Sequence, residues 1–107
     1  MAEAQKVLGQ SAPSAGVLTA CYTAAAKAVG SSLCICNRGA AEIKVRVSVA
    51  VNGAPDTAAQ YVYYDLPVPG NDTFIATIGW TLGIGDVVRV YSDIAAASFN
   101  LFGVEVT

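Results

Sequence analysis

Residues 42–51, EIKVRVSVAV, alternate between two kinds of side chain without interruption. β-Branched residues occupy every second position from Ile43 to Val51, and polar or small residues lie between them. This period of two places the β-branched side chains on one face of a strand, whereas a helix would spread them around its axis. Asn52-Gly53 follows, and this pair favours a hairpin turn because both residues tolerate positive φ. The segment therefore predicts a half-buried strand that enters a hairpin.

Turn-forming motifs recur along the rest of the chain and separate apolar segments of about six to ten residues. The segment 23–29 has helical composition but is too short for a stable helix, so we expect it to join two strands. This spacing predicts an all-β sandwich of seven or eight mostly antiparallel strands, and a jelly roll is among the topologies open to it. The predicted strands are 5–10, 16–24, 29–37, 42–51, 60–68, 72–80, 86–93 and 97–106.

The chain length of 107 residues is typical of one domain. No linker or low-complexity segment divides it, so residues 1–107 are predicted to form a single β-sandwich domain. Residues 1–10 are expected to form either an N-terminal arm or an edge strand. An arm would contact a neighbouring molecule, and its deletion would then weaken assembly without unfolding the sandwich.

Charged residues make up only 13% of the chain, compared with about 25% in an average soluble protein. The six Lys and Arg residues are scattered, which argues against a nucleic-acid partner because such binding needs clustered positive charge. The sequence has no apolar stretch of about 20 residues, so no membrane span is expected. The N-terminal residues lack the pattern of a signal peptide, which indicates synthesis in a cytoplasm.

The three cysteines raise the question of a metal or redox site. Cys34 and Cys36 are spaced C-x-C and share one face of a predicted strand, with Leu33 and Ile35 on the other. A tetrahedral metal site would need two more ligands, and the chain contains no histidine. A disulfide with Cys21 is a second alternative. We favour buried core thiols, because free cysteine is among the most buried residue types, and expect no metal or cofactor.

The absence of histidine also removes the commonest general base and the usual partner of a nucleophilic Ser or Cys. Most carboxylates lie at predicted turns or on polar strand faces. Asp65 is the exception, because it lies within a predicted strand, where an arginine on a neighbouring strand could pair with it. We therefore expect a protein that is not an enzyme.

The segment YVYYD, residues 61–65, contains three of the five tyrosines. Strict alternation places Tyr61 and Tyr63 on one strand face and Tyr64 on the other. Because tyrosine is enriched at protein interfaces, we predict that Tyr61, Tyr63 and Tyr64 contribute to an oligomer or partner contact. The alternative is an ordinary sandwich core with one phenol at its rim.

Four segments carry a resemblance to known proteins: KVLGQSAPSAGVLTACYT, CNRGA, YVYYDLPVPGNDTFIATIGWTLGIGDVVRVY and SFNLFGVEV. Together they resemble a family of small proteins encoded by tailed bacteriophages, especially phages of cyanobacteria and aquatic bacteria. The resemblance extends from Lys6 to Val106. It implies a virion structural component and supplies no catalytic residue. The cysteine pair departs from the family, whose members often have a Thr- and Val-rich segment there.

The resemblance and the low charge together predict a non-enzymatic structural component of a bacteriophage virion. The first expectation is a homo-oligomeric capsid decoration or cement protein that is made in the host cytoplasm and stabilises the shell. The partner would be a phage capsid or tail protein, since a tail, neck or fibre-base component is the alternative within the virion. A host-surface glycan-binding module is another alternative, with Tyr61, Tyr63 and Trp80 stacking on sugar rings.

Overall fold

The computed structural model describes residues 2–107, and residue 1 of the predicted N-terminal segment lies outside this range. The predicted all-β fold is confirmed. The described residues form nine strands and two short 3-10 turns, Val51–Gly53 and Ala58–Gln60. The strands are β1 (Glu3–Ser11), β2 (Thr19–Thr23), β3 (Lys27–Asn37), β4 (Ile43–Ala50), β5 (Tyr61–Val68), β6 (Thr73–Ala76), β7 (Trp80–Leu82), β8 (Val87–Ser92) and β9 (Ala97–Val106).

Two antiparallel sheets share these strands. The five-stranded sheet has the order β1-β9-β3-β6, with β7 also paired to β3, and the four-stranded sheet has the order β2-β8-β4-β5. β1 pairs with β9, β2 with β8, β3 with both β6 and β7, and β4 with β5. If β6 and β7 are counted as one interrupted strand, the eight strands therefore pair from the two chain ends inward, first with last. This nesting of pairs is the connectivity of a jelly roll.

The ninth strand arises where the sequence predicts one continuous strand, 72–80. Its two halves pair with different parts of β3, since β6 lies beside Leu33–Cys36 and β7 beside Ala28–Gly30. The register of β3 against β9 shifts between Gly30 and Ser32. The gap between β6 and β7 therefore lies alongside this bulge in β3.

The core lies between the two sheets and is made by inward-facing side chains of both. The alternation predicted for residues 42–51 is confirmed at Ile43, Val45 and Val47 of β4, which are fully buried. It is wrong at the end of the segment, because Val51 is 69% exposed in the turn after β4, and Ser48 and Ala50 of the predicted polar face are buried. From the other sheet, Phe99 and Leu101 of β9 are equally buried. Each such side chain stabilises the fold by about 1.5–3 kcal/mol through its removal from water.

The N-terminal segment is an edge strand rather than an arm. β1 pairs with β9 along its whole length, and the side chain of Leu8 enters the core. Ala2 and Thr107 also exchange two backbone hydrogen bonds, of 2.6 and 2.8 Å. The two ends of the chain are therefore held side by side.

The last strand keeps its alternation through Gly103 and has no bulge at that position. The shifts lie instead in β1, between Val7 and Gly9, and in β3. Glu105 retains the inward direction at the open end of the sandwich, where its carboxylate accepts a hydrogen bond from Tyr22 of the other sheet. A hydrogen-bond donor from the facing sheet thus satisfies a carboxylate that points inward.

Candidate functional site: a tyrosine–arginine cluster

The outer face of the four-stranded sheet carries charged and aromatic side chains. Arg46 of β4 lies directly opposite Tyr91 of β8, and β5 brings two further tyrosines to the same face. We call Arg46, Tyr61, Tyr64, Asp65 and Tyr91 the tyrosine–arginine cluster. Three strands contribute to it, so its geometry is set by the pairing of β5, β4 and β8.

Irregular pairing of β5 decides which tyrosines reach the cluster. Tyr61 lies opposite Ser48 and Tyr63 opposite Val47, and a second register shift follows before Leu66. Asp65, at this second shift, has a positive φ of 52°. Consequently Tyr61 and Tyr64 point outward together, with ring centroids 5.1 Å apart in an edge-to-face arrangement.

Tyr63 points the other way, into the sandwich. Its ring lies against Phe74 with a centroid distance of 5.4 Å and packs on the core. The prediction that Tyr61 and Tyr63 share a face is therefore wrong. The bulges of β5 interrupt the simple alternation on which that prediction rests.

Arg46 is the centre of the cluster. Its guanidinium carbon lies 4.1 Å from the ring centroid of Tyr64 and 4.4 Å from that of Tyr91. Its Nε donates a hydrogen bond of 2.7 Å to Asp65. Two aromatic rings and one carboxylate therefore hold the arginine in place, and the pairing of Asp65 with an arginine across the sheet is confirmed.

The ion pair stabilises the charged form of both partners. The hydrogen bond from Arg46 lowers the pKa of Asp65, and the same bond raises the pKa of Arg46. At neutral pH the two charges compensate each other. The rings and the planar guanidinium then present a surface that is polar but locally close to neutral.

A hollow of about 520 Å³ lies next to the cluster. Its wall includes the Tyr61 hydroxyl, which donates to the Asp56 carboxylate at 3.0 Å. Burial, together with this hydrogen bond, raises the pKa of Tyr61, so the phenol stays protonated at neutral pH. The hollow combines aromatic edges with hydrogen-bonding groups and is lined by Arg46, Asp56, Thr57, Ala58, Tyr61 and Tyr64.

Two residues of the predicted sugar-stacking set are not available at the surface. Trp80 is only 3% exposed, and its side chain packs in the core. Tyr63 faces inward, as described above. Of the predicted set Tyr61, Tyr63 and Trp80, only Tyr61 lies at the hollow.

Arg46 and Tyr91 are members of the cluster that sequence reasoning missed. The sequence does place Arg46 on the polar face of β4, and it suggests an arginine partner for Asp65. The sequence does not reveal the strand register that places Tyr91 and Tyr64 beside that arginine, because the register depends on pairing between separate strands.

The three cysteines are free thiols in two kinds of surroundings. Cys21 is buried, as expected, and burial raises its pKa to about 11. Cys34 and Cys36 are only half-buried and point outward from the five-stranded sheet, so the prediction of core thiols is wrong for this pair. Leu33 and Ile35 occupy the inward positions of β3, which leaves the alternate positions to the cysteines.

Within residues 2–107 no three Cys, Asp or Glu side chains come close enough to hold a metal ion together. The same residues include no helix with the length and apolarity needed to span a membrane.

Comparisons with known proteins give no relative for this chain: no family model, no curated protein and no solved structure matches it. The resemblance to phage virion proteins therefore stays a prediction.

Proposed function

We propose that this protein is a non-enzymatic structural component of a bacteriophage virion, which decorates the capsid and stabilises its shell. The observation that supports this proposal best is the tyrosine–arginine cluster, an aromatic surface around a charge-paired arginine, fixed on a jelly roll. Viral capsid domains are among the proteins that use this fold. The fold by itself does not identify a function, so the argument rests on the cluster.

The cluster has the composition of an interface centre. Tyrosine and arginine are enriched among residues that dominate binding energy, since they present large contact areas and directional hydrogen bonds. Tyr64 is 60% exposed although its neighbours hold it in place. A partner that covered this ring would therefore gain apolar contact while losing little side-chain entropy.

Shell binding is tested with phage particles that lack the protein. Purified wild-type chain is added back, and the bound fraction is measured by co-sedimentation. We expect Tyr64→Ala to weaken binding at least about tenfold, as is typical for loss of an interface anchor. The matched control is Val51→Ala, which truncates another highly exposed side chain in the turn after β4. Equal binding of the two variants would contradict a role for the cluster.

The hollow beside Tyr61 favours a second candidate, a host-surface glycan-binding module. Sugar hydroxyls would find an acceptor in Asp56 and donors in Arg46, and lectins are also among the proteins with jelly-roll domains. A glycan array decides between the candidates. Binding that is lost in Asp56→Asn and retained in Val51→Ala would support the lectin role. Absence of binding, together with Tyr64-dependent attachment to particles, would support decoration.

A further inference from the structure

The outer face of the five-stranded sheet is almost without charge. The strand registers place five rows of residues on it, and these rows run across β1, β9, β3 and the β6 or β7 strand. We call this surface the neutral face. Its rows are Glu3–Val106–Lys27, Gln5–Val104–Val29–Thr81, Val7–Phe102–Ser32, Gln10–Asn100–Cys34–Ile75 and Ser98–Cys36–Thr73.

Of the residues in these rows, only Glu3 and Lys27 carry a charge, and both lie in the same end row. Large apolar side chains occur among the others and reach solvent. Val29 is 47% exposed and Ile75 is 57% exposed. A sheet face that remains in water usually carries polar side chains, which alternate along each strand with the apolar side chains of the buried face. The neutral face instead presents valine, isoleucine and half-buried phenylalanine.

The opposite sheet shows that the lack of charge is a property of this face alone. On the outer side of the four-stranded sheet, β4 contributes Lys44 and Arg46, and β8 contributes Arg89. Asp65 of β5 pairs with Arg46 there. The few charges of the chain are therefore distributed unequally between its two outer faces.

The neutral face is large enough for a specific contact. Five rows along strands that rise about 3.3 Å per residue, on four strands spaced about 4.8 Å, cover about 600 Å² when side chains at the margins are included. Specific interfaces bury from about 600 Å² on each partner upward. Nearly the whole face must then be covered at once, as happens when two sheets pack flat against each other.

We propose that the neutral face binds the same face of a second copy of this chain, so that the protein is a face-to-face dimer. A two-fold contact brings each surface against its own copy, so a surface with charges of one sign would oppose like charges. An uncharged face avoids this cost, whereas a different partner protein would permit complementary charges. The proposal does not depend on the virion role, because it concerns only the chain and its own copy.

The first test is the mass of the protein in solution by sedimentation equilibrium. We expect wild type to have twice the chain mass of 10.9 kDa, and V29K/I75K to be monomeric, because the two lysines of each copy would meet those of the other. The control V51K/I94K makes the same residue changes at exposed positions in turns away from the face. A monomeric wild type, a multiple other than two, or a V29K/I75K dimer would overturn the proposal.

The second test uses the wild-type chain and does not depend on the folding of a variant. Iodoacetamide labelling of Cys34 and Cys36 is followed by peptide mass spectrometry over a dilution series. We expect both cysteines to react several-fold faster in dilute than in concentrated protein, because the dimer covers them. Cys21 is the internal control, since it is buried and should react only on unfolding. Labelling of Cys34 and Cys36 that does not change with dilution would overturn the proposal.

Discussion

The Tyr22 hydroxyl donates a hydrogen bond of 2.6 Å to Oε2 of Glu105 and so connects the two sheets of the sandwich. Tyr22 belongs to β2 of the four-stranded sheet and Glu105 to β9 of the five-stranded sheet. The other carboxylate oxygen, Oε1, accepts a hydrogen bond of 3.0 Å from Lys6 of β1. Three strands thus meet at one carboxylate near the chain ends.

This contact predicts a pH-dependent contribution to stability. The hydrogen bond from Tyr22, and secondarily that from Lys6, lowers the pKa of Glu105 below its usual 4.5. A depressed pKa in the folded state stabilises the fold above the unfolded-state value, and this contribution is lost as the pH falls below it. At neutral pH, wild type should have a higher free energy of unfolding in urea than Glu105→Gln. We expect this difference to shrink below about pH 4. An advantage independent of pH would contradict the ionic contact.

The same pair predicts the opposite behaviour in alkali. Burial and the hydrogen bond to Glu105 raise the pKa of Tyr22 above its usual 10.0. A raised pKa stabilises the fold below the unfolded-state value and loses this effect as the pH rises beyond it. Wild type should therefore lose stability above about pH 10 more steeply than Tyr22→Phe, as measured by urea denaturation. Parallel curves for the two proteins would contradict this assignment.

The adjacent residues Tyr63 and Tyr64 should respond very differently to truncation. Tyr63→Ala removes a ring from the core margin beside Phe74 and should lower the free energy of unfolding by about 2–3 kcal/mol. Tyr64→Ala removes an exposed ring and its contact with Arg46, which is worth about 1 kcal/mol or less. Thermal denaturation distinguishes them. A larger loss for Tyr64→Ala would mean that the faces assigned to β5 are wrong.

Gly103 is required by close packing between β9 and β3. A Cβ atom at this position would clash with the carbonyl oxygen of Val29, which is backbone and cannot rotate away. We expect Gly103→Ala to destabilise the fold by at least about 1–3 kcal/mol. Gly79→Ala is the matched control, because a Cβ atom there would meet nothing within 4 Å beyond its neighbours in the chain. Equal stability of both variants in urea would contradict the packing described here.

Removal of the N-terminal strand should destabilise the domain rather than only weaken assembly. Deletion of residues 1–9 exposes the edge of β9 and takes Leu8 out of the core. Leu8→Ala alone should cost about 2–3 kcal/mol, whereas Val7→Ala, at a position that is 44% exposed, should have little effect. Circular dichroism melts measure both. An unchanged melting temperature on deletion would restore the interpretation as an arm.

The sequence predicts the strands well because each carries its own pattern. The predicted strand 97–106 forms β9 with the same bounds, and the alternation of residues 42–51 identifies Ile43, Val45 and Val47 as core positions of β4. It fails at Val51, which is exposed in the following turn. The segment 23–29 contains no helix, as expected: residues 24–26 join β2 to β3, and the others belong to these two strands. These features depend on local periodicity, which a single sequence displays directly.

The candidate site depends on features that are not local. The bulges of β5 reverse the faces of Tyr63 and Tyr64 relative to simple alternation, and nothing in YVYYD marks where they occur. The position of Tyr91 beside Arg46 likewise depends on the register between β4 and β8. The prediction of a core position for Cys34 is wrong because residue type alone does not identify which of two alternating faces is inside.

The virion role is tested most directly by quantitative mass spectrometry of purified particles, with the amount of this protein expressed relative to the major capsid protein. A decoration protein should be present in hundreds of copies per particle, in a fixed ratio to the shell subunit. A few to a few dozen copies would place it in the tail, neck or fibres and contradict the capsid role. Its absence from particles would contradict the virion proposal altogether.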